Sequence, residues 1–464
     1  MDASVLITRA AGWAAGVFQS IERTGGPIPS GPVLVVANHP NSLLDPLVVF
    51  RVAGRPTRPL AKAPLFRQRF VGTLLRGLGG LPVYRAQDDP SQMHRNEDTF
   101  RGAIDALRAG DAVQIYPEGK SHSDPSLAPM RTGAARIALG AEQSAGWTLG
   151  LRIVPVGLTY QRKNRFRGRV LAEIGEPFDI VDLRELHASD DVAAVRALTD
   201  RIAARLHALT LNVAEQRDAD LIDTAERLYA RERGTSGWRE RESLADRLPR
   251  MRAFARGLAW LREHDPPRHD RLARAVARYR RRSQLLGVED GDVPPRYTLG
   301  GTLRYIIVQK MMLLGLAIPA LAGGIIWYPT YIAPHLTLRL VRPGFEAVAT
   351  YKLATGFIAV PLTMIISIGA GLLLDGLRGA LLAGILVPAC GFAALAWHDR
   401  WVRFREDSLL FLRVISRRDR QERLALDRAR MAAEFDDLIE LSGALAVDPV
   451  IAADNALPAD RSAG

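Results

Sequence analysis

His39 and Asp45 stand five intervening residues apart in the stretch LVVANHPNSLLDP, residues 34–46. The pair suits general-base chemistry. An imidazole takes a proton from a hydroxyl, and a carboxylate fixes its tautomer and stabilises the imidazolium that forms. The apolar run Leu34, Val35 and Val36 predicts a short buried strand, with His39 at its carboxyl end. On one continuous helix, residues six apart lie about 120° around the axis and roughly 9 Å along it. His39 and Asp45 therefore meet only if the segment begins as a turn. Pro40, Asn41 and Ser42 favour turns and helix starts.

The elements that must position this pair follow from the flanking pattern. Strands are predicted at Val33–Ala37, Leu81–Tyr84, Ala112–Tyr116, Ile153–Leu158 and Val170–Ile174, and helices at 44–53, 65–78, 92–109 and 132–145. The alternation reads as an α/β fold, a mostly parallel sheet flanked by helices. Helical spacing over 3–21 predicts an amphipathic N-terminal helix, interfacial or packed on the domain, ended by Gly25-Gly26-Pro27.

Open α/β folds place ligands at the carboxyl ends of their strands, and four segments fall there. They are Asn38–Asp45, GLPVYR at 80–85, IYPEGKSH at 115–122 and IVPVG at 153–157. This set resembles the blocks of the glycerophospholipid acyltransferase family: Asn-His, a short spacer and Asp; Gly-x-x-φ-x-Arg (φ apolar); Phe/Tyr-Pro-Glu-Gly; and φ-Val-Pro-φ-φ. The resemblance covers roughly residues 30–210. The chain departs from it twice. The commonest spacer is four residues where this chain has five, and the third block commonly continues Thr-Arg-Ser where this chain has Lys120-Ser121-His122. Both departures, with Arg131–Arg136, resemble the glycerol-3-phosphate and dihydroxyacetone-phosphate acyltransferase branch.

The resemblance implies roles. His39 is the base and Asp45 its partner in transfer from an acyl thioester, acyl-CoA or acyl carrier protein, to a glycerol phosphate acceptor. No metal and no cofactor beyond that co-substrate is implied. Arg85, with a planar fork that matches phosphate oxygens, is the first choice for the acceptor phosphate. Glu118 and Gly119 fall at the acceptor site, where Glu118 accepts from a glycerol hydroxyl or holds Arg85. Lys120 and Ser121 complete the substrate-binding set, and His122 is a second candidate base. Thr132 is placed to cap the next helix; Pro155 and Gly157 read as structural. Acylation of 1-acyl-glycerol 3-phosphate to phosphatidate is the close alternative, and a non-catalytic lipid-binding protein the distant one.

The bulk composition agrees with a lipid-facing enzyme. The 464 residues are 48% hydrophobic with a net charge of +12, and only five of the 62 basic residues are lysines. That balance favours an anionic partner. No nucleic-acid motif appears, so anionic membrane lipid is the expected one. Basic clusters at Lys62, Arg67, Arg69 and Arg76, and at Arg162, Lys163, Arg165, Arg167 and Arg169, are candidate headgroup or carrier contacts. The single cysteine, Cys390, rules out an internal disulfide, and the nine histidines have no metal-ligand spacing.

The predicted order is an N-terminal helix (1–26), an acyltransferase domain (27–214), an arginine-rich helical region (215–300), a membrane domain (301–400), and a charged helix with a disordered tail (401–464). Apolar segments 311–332, 353–374 and 379–397 are each about long enough for a hydrocarbon core of roughly 30 Å. Basic residues flank them on both sides, so the positive-inside tendency favours two full spans, with 311–332 re-entrant or interfacial and three full spans as the alternative. A multi-pass protein of the cell inner membrane is expected, its catalytic domain facing the cytoplasm.

Overall fold

The computed structural model describes residues 3–85, 89–161, 163, 167–213, 216–232, 242–286, 299–342, 348–415 and 418–445. The chain divides into two compact units, residues 1–214 with 340–353, and residues 215–339 with 354–464.

The first unit is built on seven strands: β1 (Gln19–Thr24), β2 (Val33–Ala37), β3 (Thr57–Lys62), β4 (Leu81–Val83), β5 (Ala112–Ile115), β6 (Arg152–Gln161) and β7 (Gly168–Ile174). They form one sheet in the order β1-β7-β6-β2-β5-β3-β4. Only the β6–β7 pair is antiparallel. The helices of this unit are α1 (Ala3–Phe18), α2 (Leu44–Ala53), α3 (Ala63–Arg67), α4 (Arg69–Gly77), α5 (Asn96–Arg108), α6 (Gly133–Ser144), α7 (Arg184–Ser189) and α8 (Asp191–Leu209).

β2 and β5 are buried along their whole length. That is why they read as continuous apolar runs and not as alternations. Leu34, Val36, Val113 and Ile153 point to one face, where Leu107 of α5, Ile137 and Leu139 of α6, and Leu198, Ile202 and Leu206 of α8 cover them. His39 continues the opposite parity, through Val35 and Ala37.

Two strands differ from the sequence expectation. Periodicity carries the first helix to residue 21, but α1 stops at Phe18 and Gln19–Thr24 pairs in register with Gly168–Glu173 of β7. β3 has no apolar signature of its own, because Arg58, Pro59 and Lys62 interrupt it; its pairing with β5 makes it a strand. α1 packs on the domain, its Gly12 against the backbone of Arg51. Trp13 and Leu6 stay exposed on its outer side.

The second unit has a helical part and an apolar part. α9 (Gln216–Glu232), α10 (Leu244–His264) and α11 (Pro266–Leu286) pack with α14 (Arg418–Leu445). Phe254 meets Phe435 edge-on at 5.0 Å, Tyr229 donates to Asp436 Oδ1 at 2.9 Å, and Arg428 pairs with Glu232 at 2.6 Å. Of the arginines the sequence leaves unassigned, Arg247 and Arg250 hold Glu226, which is fully buried. Asp265-Pro266-Pro267 predicts a helix break, and the α10–α11 junction falls there. Pro294-Pro295 predicts a second, which lies outside the described residues.

The apolar part is α12 (Leu299–Val341) and α13 (Val348–Ile415). Both are long and apolar enough to cross a membrane. Their side chains face outward, with Ile318 83% and Leu373 89% exposed. A core helix of a water-soluble domain would bury them, so this unit associates with lipid. α13 is two arms joined by a sharp bend at Asp375 and Gly376, the latter at φ 56°. Gly371 and Gly379 bring the arms into backbone contact beside it.

The 311–332 segment lies within one unbroken helix, so a re-entrant loop is not formed there; its prolines, Pro319 and Pro329, are absorbed within the helix. α12 meets the first arm at Thr330–Thr363 (2.6 Å) and Thr337–Thr355 (3.2 Å). It meets the second where Trp327 donates to Val387 O (3.0 Å) and Trp397 to Leu313 O (3.1 Å). Its contacts with each arm run in the antiparallel sense.

Gly25 ends β1 at φ +83°, and a Cβ there would sit 1.8 Å from Ile174 O. Gly25→Ala should lower stability by more than about 1 kcal/mol, read as a fall in thermal midpoint in detergent. Gly26→Ala, which meets nothing within 4 Å, should leave the midpoint in place.

Candidate active site

The site starts where β2 leaves the sheet. Asn38 donates through Nδ2 to Leu158 O at 3.0 Å and accepts at Oδ1 from Leu158 N at 2.7 Å. Its side-chain amide thus stands in for the next ladder residue and fixes the strand exit against β6. Residues 40–43 form the turn that the spacing demands, with Ser42 at φ 43°.

α2 then begins at Leu44, which places Asp45 in its first turn. There Asp45 returns to His39, with Oδ2 2.8 Å from Nδ1. The same oxygen accepts from Asn41 N at 2.7 Å, and Oδ1 accepts from Tyr160 OH at 2.7 Å. Asp45 is 0% exposed. An ionised carboxylate only accepts, so it holds the imidazole proton on Nδ1 and leaves Nε2 as the basic nitrogen. The His39 side chain is 19% exposed, and the Tyr116 ring stacks on it at 4.1 Å.

Both neighbouring tyrosines stay neutral. Burial, and next the charge of Asp45, raise the phenols of Tyr116 and Tyr160 well above the ordinary 10.0. Tyr160 therefore remains a donor to Asp45 across the working range of any hydrolase or transferase.

The third block closes on the first. Glu118 is 3% exposed. Its Oε1 accepts from His39 N at 2.7 Å, and its Oε2 accepts from Ala128 N at 2.7 Å and pairs with His122 Nε2. Both oxygens are thus taken by the backbone and His122, where the sequence reading aimed them at a glycerol hydroxyl or Arg85. Gly119 turns at φ +68° and is exposed, as is Lys120. Ser121 accepts from Ser42 N at 2.9 Å.

Arg85 leaves the carboxyl end of β4, where Asn96 pins the strand exit through Tyr84 N and O. β5 and β3 lie between β2 and β4. The second block therefore stands three strand spacings from the first, about 14 Å across the sheet.

Thr132 occupies the N-cap position of α6, but its side chain makes no capping bond. Gly157 is needed for packing, since a Cβ there would sit 2.4 Å from Leu209 O. Of the second basic cluster, Lys163 donates to Pro40 O at 2.8 Å and Ser123 Oγ at 2.6 Å, and Arg169 pairs with Glu22. Arg162 and Arg165 lie outside the described residues. Sequence reasoning missed Tyr160, Asn38 as a strand mimic, and Lys163 as a brace. Each acts across the β2–β6 side of the sheet, 115 to 123 residues away in the chain. No local spacing marks such contacts; the strand order alone would have.

The Acyltransferase family profile matches residues 20–159. This stretch is similar to acyltransferase domains. It spans β1 to most of β6 and holds the His39, Asp45 and Glu118 cluster. The chain is 26% identical over 394 residues to an uncharacterized acyltransferase of Schizosaccharomyces pombe, covering 66% of this chain and 57% of that one. It is 30% identical over 286 residues to glycerol-3-phosphate O-acyltransferase 2 of Saccharomyces cerevisiae, covering 58% and 37%. It is 27% identical over 147 residues to the 1-acyl-sn-glycerol-3-phosphate acyltransferase of Bacillus subtilis, covering 31% and 65%. The chain thus spans little more than half of the first relative and well under half of the second.

Tyr160→Phe removes a hydrogen bond to a buried carboxylate and should cost about 1.5–3 kcal/mol of stability at neutral pH. The alkaline behaviour carries a sign. Above about pH 10 the unfolded tyrosine loses its proton while folded Tyr160 keeps it, so wild-type stability falls as pH rises. The thermal midpoint of Tyr160→Phe should fall less steeply than that of wild type above pH 10.

Proposed function

We propose that the chain is a membrane-bound O-acyltransferase. It moves a fatty acyl group from an acyl thioester, acyl-CoA or acyl carrier protein, to a hydroxyl of glycerol 3-phosphate or dihydroxyacetone phosphate. The observation that carries this reading is the His39–Asp45 pair, Nδ1 to Oδ2 at 2.8 Å, inside the stretch similar to acyltransferase domains. The similarity to a yeast glycerol-3-phosphate O-acyltransferase supports the choice of acceptor.

The chemistry follows from the tautomer. Nε2 of His39 takes the proton of the acceptor hydroxyl as its oxygen attacks the thioester carbonyl carbon. The tetrahedral oxyanion collapses, the C–S bond breaks, and the imidazolium returns its proton to the departing thiolate. Asp45 stabilises the imidazolium between these steps, and Tyr160 and Asn41 keep Asp45 oriented. General-base help of this kind is worth ~10²–10⁴ in rate. Arg85 and Lys120 form the phosphate and acceptor side, Lys120 on the segment that leaves β5, the strand next to β2. No metal or further cofactor enters.

The second reading is acylation of 1-acyl-glycerol 3-phosphate, supported by the Bacillus subtilis relative. It uses the same residues on a larger acceptor. His39→Ala and Asp45→Asn should each reduce transfer at least 100-fold. An acceptor panel with one labelled acyl-CoA should show glycerol 3-phosphate preferred over its 1-acyl derivative. Full activity in His39→Ala would remove the mechanism; lipid binding with no turnover on any acceptor would remove the enzyme.

We also place the protein in the cell inner membrane as a multi-pass protein with its acyltransferase domain in the cytoplasm, its basic clusters toward anionic lipid. The packing of α14 on α9–α11 supports this. A single folded body lies on one side, so the chain between 299 and 415 crosses an even number of times. The two arms of α13 serve as the crossings, and α12 lies in the interface. In a Cys390→Ala background, cysteines at Asp375 and Ala433 should label with an impermeant maleimide from opposite faces of sealed vesicles. Labelling from one face would leave no crossing.

A further inference from the structure

The two departures from the family pattern meet in space. The five-residue spacer lies in the first block and the Ser-His in the third, yet Ser121 Oγ accepts from Ser42 N at 2.9 Å and lies 3.1 Å from Ser42 Oγ. Ser42 lies within the five-residue spacer between His39 and Asp45. Its φ of 43° is a left-handed conformation that a residue with a Cβ adopts only when its surroundings hold it.

One residue on, His122 grips His39. Its N donates to His39 O at 3.2 Å. Its ring pairs with Glu118 Oε2, while Glu118 Oε1 holds His39 N at 2.7 Å. Segment 118–122 therefore takes both backbone polar groups of His39 and the strained turn behind it. The ring's Nε2 is committed to Glu118, while Nδ1, 3.3 Å from Asp124 Oδ2, makes no hydrogen bond.

We propose that Ser121 and His122 are positioning residues, a clamp that makes the five-residue spacer competent. They lock the Ser42 turn and the His39 backbone so that the imidazole meets Asp45. On this view the longer spacer and the Ser-His are one device, each requiring the other. The proposal rests on the reading of His39 as the base of an acyl transfer.

The test compares wild type with Ser121→Ala, His122→Ala and His122→Gln in detergent. The readouts are kcat, KM, the pH dependence of kcat, thermal midpoint, and the proton resonance of the His39 Nδ1–H. Ser121→Ala and His122→Ala should lower kcat about 10- to 100-fold, with KM within about twofold. The pH dependence should keep its wild-type shape, because His39 remains the base. His122→Gln, whose amide still donates to Glu118, should recover most of the lost kcat.

The Nδ1–H resonance should weaken in Ser121→Ala and His122→Ala and return in His122→Gln. That signal needs neither donor nor acceptor, so it decides the clamp even if the chain acylates nothing. Unchanged kcat and resonance in Ser121→Ala and His122→Ala, whatever the thermal midpoint, would overturn the proposal. So would a His122→Gln as inactive as His122→Ala with the basic limb of the pH profile gone, since His122 would then be a base itself. Should His122→Ala not fold, Ser121→Ala and His122→Gln answer the same question.

Discussion

A carboxylate removed from water costs several kcal/mol unless hydrogen bonds replace its hydration. Asp45 is such a group, and the architecture around it supplies the replacements. His39, Asn41 and Tyr160 each donate to it, from the strand exit, the turn and the neighbouring strand. The first turn of α2 adds the favourable end of a helix dipole. His39 and Asn41 are local to the turn, but Tyr160 reaches Asp45 only because β2 lies beside β6. The order of strands therefore decides whether Asp45 has its third donor.

A second buried carboxylate works from the other side. Glu118 leaves the end of β5, the other neighbour of β2, and spends its oxygens on His39 N, Ala128 N and His122. His39 thus sits between two buried acids with different tasks. Asp45 tunes its ring, and Glu118 fixes its backbone. The apolar sheet beneath gives both a rigid floor, since β2 and β5 are buried throughout. Lys163 braces the same turn at Pro40 O, so the loop is held on two flanks.

The lipid-facing unit follows a different rule. Its apolar helices expose their side chains and pack through small residues and a few polar contacts, as Gly371 with Gly379 and Thr330 with Thr363 show. Its helical part is tied by charge, with Glu226 buried among arginines. The arginine excess is therefore partly structural, and only the remainder is available to an anionic surface.

The sequence by itself determined the elements that carry strong periodic or apolar signals. The strand Val33–Ala37, the helix Leu44–Ala53 and the Asp265-Pro266 break were all legible, because each is written in neighbouring residues. It also determined that His39 and Asp45 need a turn between them, from helical geometry alone. Tertiary structure decided the rest. β1 and β3 exist because β7 and β5 offer them ladders, and periodicity could not report a partner more than 50 residues away. Tyr160 reaches Asp45, and Ser121 reaches Ser42, only once the sheet is assembled. Glu118 read as a ligand group because a carboxylate beside a turn glycine looks available; folding buried it. Local chemistry is set along the chain, but hydrogen-bond partners of buried groups are set by which strands become neighbours.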